Sequence, residues 1–128
     1  RGFDSAQAVF EEMRLSGVVY VVMRNFEGIP GSLTSSAHAD LDLLVDDYFH
    51  AKRALDARSA AQPWIEDVHR TGESLERGGC RILNTILVAG AEVKVDLRSV
   101  GDGYINAEWA RAILAGRRER VSDGCRFF

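Results

Sequence analysis

The sequence has few cysteines: Cys80 and Cys125 are the two among its 128 residues. Neither has a second cysteine or a histidine at the spacing of a metal-ligand pair, so no zinc motif is present. A disulfide between the two is one alternative, but cysteines in the reducing cytosol normally remain free thiols. We therefore expect free thiols and a cytoplasmic location.

Long apolar runs and a strong charge of one sign are also lacking. No run approaches the roughly 18–20 apolar residues that a membrane-spanning helix needs. The formal net charge is −3, so there is no broad cationic field to attract nucleic acid or an anionic membrane. We expect neither a membrane span nor nucleic acid as a partner.

The composition is that of a globular domain, with 46% hydrophobic and 27% charged residues. A chain of 128 residues is long enough for one domain with one hydrophobic core. No internal repeat, low-complexity tract or linker interrupts it. The chain begins at Arg1 and ends in the largely apolar CRFF. We therefore expect residues 1–128 to be a single domain from a longer protein.

Hydrophobic periodicity and turn residues divide the chain into helices and strands. The predicted elements are a helix over 3–17 capped by Asp4 with Gln7, a strand over 18–24, a loop over 25–39, a strand over 40–45, a helix over 46–60, a candidate strand within 61–80, a hairpin over 81–99 that turns at Gly90, a turn over 101–104, and a helix over 106–120 capped by Asn106. In the last helix, Trp109, Ile113 and Leu114 share the face that we expect to be buried. This order predicts an α/β (α+β) domain with a small mixed β-sheet flanked by helices.

Aspartates interrupt two of the predicted strands in a regular way. Side chains alternate across a strand, so Asp40 and Asp42 point to one face of DLDLLV (40–45), and the leucines between them point to the other. In EVKVDLR (92–98) the same alternation places Asp96 on the polar face. If the two strands are neighbours in the sheet, the three carboxylates converge on one side.

Three converging carboxylates repel one another unless a cation lies between them. Sites built from carboxylate oxygens suit hard cations such as Mg²⁺ or Mn²⁺, and Mg²⁺ is commonly held by one or two carboxylates plus substrate phosphates. Two such ions can stabilise the attacking and leaving oxygens of an in-line phosphoryl displacement. The alternative is that the aspartates are solvated side chains on the exposed face of an antiparallel sheet.

Several segments together resemble a known family. Gly31-Ser32 followed by DLDLLV (40–45), with VKVDLR (93–98) on a later strand, is similar to the Gly-Ser…Asp-x-Asp signature and third-carboxylate strand of the polymerase-β-type nucleotidyltransferase superfamily. MRNFEGIP (23–30) and VKVDLRSVGDGYINAEWA (93–110) also resemble a group of bacterial nucleotidyltransferase-like domains, some of which occur beside cell-surface polysaccharide genes. The resemblance implies that the chain is a nucleotidyltransferase-like core domain.

The resemblance implies a role for each aspartate. Asp40 and Asp42 would bridge the metal ions, Mg²⁺ or Mn²⁺, that hold a nucleoside triphosphate. Asp96 would complete the second metal site and help to activate a hydroxyl of the acceptor. Asp40, Asp42 and Asp96 are therefore the predicted catalytic and metal-binding residues.

Phosphate contacts are predicted at further positions. The family's Gly-Ser pair normally follows the first strand, but here Arg24 and Asn25 occupy that place and Gly31-Ser32 lies later. Arg24 and Asn25 can bind phosphate instead, because arginine pairs with phosphate through two donors. Gly31 and Ser32 can assist through loop N–H groups or the hydroxyl. Arg98 can neutralise phosphate charge or form an ion pair on its own strand.

The function that the resemblance implies is transfer of a nucleoside monophosphate from an NTP to a hydroxyl-bearing acceptor, in cell-surface polysaccharide metabolism. Many family members carry a helical C-terminal domain, so we expect a further C-terminal domain in the full-length protein. Two alternatives remain open. One is a non-catalytic module of the same fold that binds a nucleotide or a partner protein. The other is a glycosyltransferase that uses Asp-x-Asp to hold a metal ion and a sugar nucleotide.

Overall fold

The computed structural model describes residues 2–24, 26–35, 39–56 and 82–128. The candidate strand within 61–80 and the end of the helix predicted over 46–60 lie outside the described residues. The helices and strands of the described residues are, in chain order, α1 (Ala6–Leu15), β1 (Tyr20–Val22), a 3₁₀ turn (Phe26–Gly28), α2 (Ser32–Ser35), β2 (Ala39–Val45), α3 (Tyr48–Asp56), β3 (Ile82–Val88), β4 (Ala91–Ser99), α4 (Ala107–Ala115), β5 (Arg120–Ser122) and β6 (Cys125–Phe127).

Four strands form one mixed sheet in the order β1-β2-β4-β3. β1 pairs with β2 in antiparallel orientation, β2 pairs with β4 in parallel orientation, and β3 and β4 form the predicted hairpin. The hairpin turns at Ala89 and Gly90, which both have the positive φ that a tight two-residue turn requires. The two strands that carry the aspartates are therefore neighbours.

The main hydrophobic core lies between one face of this sheet and the helices α1 and α3. Its buried residues from β2, β4, α1 and α3 include Leu41, Leu43, Val95, Leu97, Phe10, Met13, Ala51 and Leu55. Alternate residues of β2 and β4 thus point into the core. The alternation predicted for these strands is confirmed.

Helix α4 covers part of the opposite face of the sheet. Ala110 and Leu114 are buried against Leu44 of β2, and Met23 packs beside them. Since Leu44 shares its side of β2 with Asp42, α4 lies on the same face as the aspartates. Helices thus flank the small mixed sheet on both faces, and the predicted α/β fold class is confirmed.

The beginning of α1 differs from the prediction. Ser5, not Asp4, is the N-cap residue, because its Oγ accepts a hydrogen bond from the N–H of Ala8 at 3.2 Å. Gln7 accepts a hydrogen bond from the N–H of Arg126 at 2.7 Å and does not close a capping box. Serine and aspartate both cap helices well, so the local sequence does not distinguish between two adjacent capping residues.

The last helix is shorter and less buried than predicted. Asn106 caps α4 as expected and accepts a hydrogen bond from the N–H of Glu108 at 2.9 Å. Trp109 is 70% exposed and Ile113 is 38% exposed, so the expectation that they share the buried face with Leu114 was wrong. The buried residues of α4 are Ala110 and Leu114. The face of α4 that packs on the sheet is therefore narrow, and Trp109 lies beside it.

A second hairpin begins at Arg120, where the predicted helix ends, and covers residues for which the sequence predicted no element. β5 and β6 pair in antiparallel orientation around Asp123 and Gly124, which both have positive φ. Asp-Gly is a strong signal for a two-residue hairpin turn, but the predicted elements ended at residue 120 and did not use it. Phe127 of β6 is buried and stacks on Phe10, with the ring centroids 5.2 Å apart. The hairpin therefore closes one side of the core.

Cys125 is a free thiol, as expected, and it is buried in β6. Burial raises the pKa of this thiol above its usual value, because the thiolate is poorly solvated there. Cys80 lies outside the described residues. In the described ranges, none of the helices has the length and apolar character needed to cross a membrane.

Candidate functional site

Asp42 and Asp96 lie side by side on the two central strands of the sheet. The parallel register of β2 and β4 makes them Cα partners, on the face opposite to α1 and α3. Their side chains are 13% and 11% exposed, so both carboxylates are largely withdrawn from water. Two like charges this close and this poorly solvated repel each other, so the site requires positive charge nearby.

Two arginines supply that positive charge. Arg24, which follows β1, places its Nε 3.3 Å from Oδ2 of Asp42. Arg98, two residues after Asp96 on β4, places its Nε 3.7 Å from Oδ1 of Asp96. The Arg24 side chain is 68% exposed, so water screens its ion pair, whereas that of Arg98 is 17% exposed. Both residues can also bind an anionic ligand, because the guanidinium group suits phosphate.

The backbone sets the position of Arg24 relative to the carboxylates. The N–H of Met23 donates a hydrogen bond to the carbonyl oxygen of Asp42 at 2.9 Å, which extends the contact of β1 with β2. Met23 also packs against the buried cluster around Leu44 and Ala110. Arg24 therefore leaves the sheet at a fixed point beside Asp42.

The four charged side chains line a cavity of about 260 Å³, which we call the carboxylate cavity. Its described lining residues are Met23, Arg24, Asp42, Leu43, Asp96, Arg98 and Tyr104. The guanidinium carbon of Arg98 lies 3.9 Å from the ring centroid of Tyr104, which is a cation–π distance. This volume is slightly below the range for small-ligand sites, which begins at about 300 Å³.

A buried carboxylate holds the loop that carries Tyr104. Asp102 is 5% exposed and accepts hydrogen bonds from the N–H of Ser99 at 3.0 Å and from the N–H of Tyr104 at 2.8 Å. Gly101 and Gly103 have positive φ, which glycine adopts without strain. The structure contains the predicted turn and brings Tyr104 to the cavity, whereas the sequence favoured a plain turn over a role at the rim of the site. The signal was the pattern Gly-Asp-Gly-Tyr, in which an aspartate can bind the backbone two residues on.

Asp40 is not among the described residues that line the carboxylate cavity. It is exposed, and its Cα partner on β4 is Lys94. Within the described ranges, no group of three or more His, Cys, Asp or Glu side chains is placed to hold a metal ion. The structure brings together Asp42 and Asp96 of the three predicted carboxylates, and the role of Asp40 stays a prediction.

The remaining predicted phosphate-binding residues lie elsewhere or are not described. Gly31 precedes α2 and Ser32 is its first residue; this helix packs against β2 and β4 and buries Leu33 in the main core. Neither residue is found in the described lining of the carboxylate cavity. Asn25 lies outside the described residues. Arg24 and Arg98 are the predicted phosphate-binding residues that the structure places beside the carboxylates.

The donor atoms of this site fit a hard divalent cation. Asp42 and Asp96 offer carboxylate oxygens on one side of the sheet, and these are the ligands that Mg²⁺ and Mn²⁺ prefer. A pair of carboxylates is sufficient where substrate phosphates complete the coordination. A cation bound here would take over the charge balance that Arg24 and Arg98 provide to the two carboxylates.

A second cavity, of about 330 Å³, lies between α1 and β6. Its described lining includes Arg14, Tyr20 and Phe128 but none of the predicted site residues. The hydroxyl of Tyr20 accepts a hydrogen bond from the N–H of Phe128 at 3.3 Å, and burial raises the pKa of Tyr20 to about 12. Arg14 pairs with Glu11 and lowers the pKa of that carboxyl.

Comparisons with known proteins add no assignment. No protein-family model matches the chain, and no curated protein or solved structure gives a significant match. The nucleotidyltransferase resemblance therefore stays a prediction, based on the sequence segments and consistent with the charges of the carboxylate cavity.

Proposed function

We propose that the chain is the core of a metal-dependent nucleotidyltransferase, which moves a nucleoside monophosphate from an NTP to a hydroxyl-bearing acceptor. The observation that carries this proposal is the pairing of Asp42 with Asp96 on neighbouring parallel strands, at the carboxylate cavity. Two carboxylates flanked by two arginines have the charges needed to bind a triphosphate together with its cation.

The residues of the carboxylate cavity have complementary tasks in this proposal. Asp42 and Asp96 would hold Mg²⁺ or Mn²⁺, which when bound neutralises phosphate oxygens of the NTP. Arg24 would turn from Asp42 to the phosphates and orient them, and Arg98 would add positive charge beside them from its place against the Tyr104 ring. Both arginines are long enough to reach a ligand in the cavity that they already line.

Asp96 would also accept the proton of the acceptor hydroxyl, as a general base. The hydroxyl oxygen then forms a bond to the α-phosphorus of the NTP. At the same time the bond from the α-phosphorus to the bridging oxygen of pyrophosphate breaks. The nucleoside monophosphate is thereby transferred, and pyrophosphate leaves with the electron pair of the broken bond.

A thermal-shift titration with Mn²⁺ and each of ATP, CTP, GTP and UTP tests this proposal. We expect at least one NTP to stabilise the wild type, and only when Mn²⁺ is present. The gain is about 2.7 kcal/mol when the ligand is at about 100 times its Kd. Asp42→Asn and Asp96→Asn are expected to lose this stabilisation while remaining folded, because each removes a charged ligand of the cation.

Glu92→Gln is the matched control for these variants. Glu92 is exposed and lies on the same strand and face as Asp96, but it is not in the described lining of the carboxylate cavity. It removes the same charge, so it is expected to bind Mn²⁺–NTP as the wild type does. Wild-type binding by Asp42→Asn, or an equal loss in Glu92→Gln, would contradict the assignment of the site.

A non-catalytic nucleotide-binding module of the same fold is the second candidate, and the arginine pairs favour it. Arg24 and Arg98 each lie beside one carboxylate, so the charges of the site are balanced without a cation. This candidate predicts NTP binding that does not depend on Mn²⁺ and is not followed by release of pyrophosphate. Mn²⁺-dependent pyrophosphate release that is lost in Asp96→Asn would exclude it.

A further inference from the structure

We propose that Tyr104 binds the nucleobase, by stacking its ring on the base while Arg98 supports the ring from the other side. This inference rests on the proposed function, since it names the residue that recognises the part of the NTP beyond its phosphates. It derives from the place of Tyr104 in the carboxylate cavity, beside Asp96 and Arg98.

Tyr104 is an exposed aromatic residue inside a charged cavity. It is 54% exposed, although aromatic rings gain most by burial. It lines the same cavity as Asp42 and Asp96, where the phosphates of an NTP would bind. A ring in this position offers an apolar surface to the nucleobase, which is joined to those phosphates through the sugar.

Two contacts hold the ring of Tyr104 in place. On one side, Arg98 lies 3.9 Å from the ring centroid, and the same Arg98 side chain is 3.7 Å from Asp96. At the backbone, the buried carboxylate of Asp102 accepts the N–H of Tyr104 at 2.8 Å. Because the ring is positioned before any ligand binds, stacking on it costs little conformational entropy.

Stacking suits this role because every nucleobase has a π-face. The interaction tolerates different bases, and larger purine rings offer more surface than pyrimidines. Trp109 provides the comparison, since it is 70% exposed but lies on α4 and not in the described lining of the carboxylate cavity. A loss of ATP affinity on substitution of Tyr104, but not of Trp109, would therefore be due to the position of Tyr104 in the cavity.

Calorimetric titration with Mn²⁺–ATP and with Mn²⁺–tripolyphosphate tests the inference, because tripolyphosphate carries the phosphates without a base. Tyr104→Ala and Tyr104→Leu are expected to weaken ATP binding on the order of tenfold and to leave tripolyphosphate binding unchanged. Tyr104→Phe keeps the ring and the wild-type affinity. Trp109→Ala keeps both affinities. A melting curve for each variant confirms that it is folded.

The outcomes separate this inference from the proposed function. Equal affinity of the wild type for ATP and tripolyphosphate, or equal ATP affinity in wild type and Tyr104→Ala, would overturn the role of Tyr104 and leave the proposed function standing. A loss of tripolyphosphate binding in Tyr104→Ala would overturn it too, because the residue would then act on the phosphate site. If the wild type binds neither probe, the proposed function fails and the inference fails with it.

Discussion

Asp42 and Asp96 are Cα partners in the parallel pair of β2 and β4, and their side chains share the sheet face that α4 partly covers. Each carboxylate has an arginine beside it, Arg24 at 3.3 Å and Arg98 at 3.7 Å. The pairing concentrates charge in a region with little access to water, where electrostatic interactions are strongest. It also joins two segments that are distant in the sequence into one candidate site.

Removal of the Asp102 carboxylate is expected to destabilise the protein. Asp102→Ala eliminates two hydrogen bonds that a buried carboxylate accepts, from Ser99 and Tyr104, and we expect a loss of about 2–4 kcal/mol in the free energy of unfolding. Urea denaturation measures this loss. Asp4→Ala, a change of the same charge at an exposed position, serves as the control. A loss in Asp102→Ala no greater than in the control would show that the loop does not depend on this carboxylate.

The N-cap of α1 can be tested by a pair of alanine substitutions. Ser5→Ala is expected to cost about 1 kcal/mol of stability, because it removes the acceptor of the Ala8 N–H. Asp4→Ala is expected to change stability by less than about 0.5 kcal/mol, as is usual for an exposed side chain. Denaturant unfolding of both variants gives the comparison, and the opposite order of effects would assign the cap to Asp4.

Stability is expected to fall at alkaline pH because of Tyr20. Burial raises the pKa of Tyr20 to about 12 from its ordinary value of 10.0. Between these values the unfolded chain loses the phenolic proton and the folded protein keeps it, so the free energy of unfolding decreases as pH rises. We expect a decrease of about 1 kcal/mol between about pH 9 and about pH 11.

Tyr20→Phe is the control for this pH dependence, because phenylalanine keeps the ring and has no ionisable group. Urea denaturation of wild type and variant at the two pH values isolates the contribution of Tyr20 from those of other titrating residues. The wild type should lose more stability than Tyr20→Phe over this interval. Equal losses in the two proteins would mean that Tyr20 is not the cause.

The alternation of apolar and polar residues in β2 and β4 was enough to predict the face on which Asp42 and Asp96 lie. A strand with one face in the core has a fixed period of two, so its pattern determines the direction of each side chain. The pattern did not indicate which strands pair with each other or in which register. Those depend on long-range packing, and the structure supplied them.

Residues whose role depends on a loop or on a helix end were predicted less well. Asp102 and Tyr104 were predicted only as part of a turn. The position of Tyr104 at the cavity depends on the hydrogen bonds that Asp102 accepts and on the tertiary position of the loop, which the local sequence does not indicate. The cap of α1 was assigned to Asp4, since a local motif cannot distinguish two adjacent capping residues. Trp109 was expected in the core because helical periodicity predicts the direction of the apolar face of a helix. It does not predict how much of that face the sheet covers, and Trp109 lies outside the covered part.

The most direct test of the central claim is an NMR titration of the isotope-labelled chain with Mn²⁺ in the presence of an NTP. The unpaired electrons of Mn²⁺ broaden the signals of nearby nuclei, so the pattern of broadening locates the ion. Our account predicts that broadening is strongest at the backbone signals of Asp42, Asp96 and Met23 and decreases along β4 from Asp96 towards Glu92 and the turn at Gly90. Broadening centred elsewhere, or equal broadening in wild type and Asp42→Asn, would contradict the assignment of the carboxylate cavity as the site of nucleotide binding.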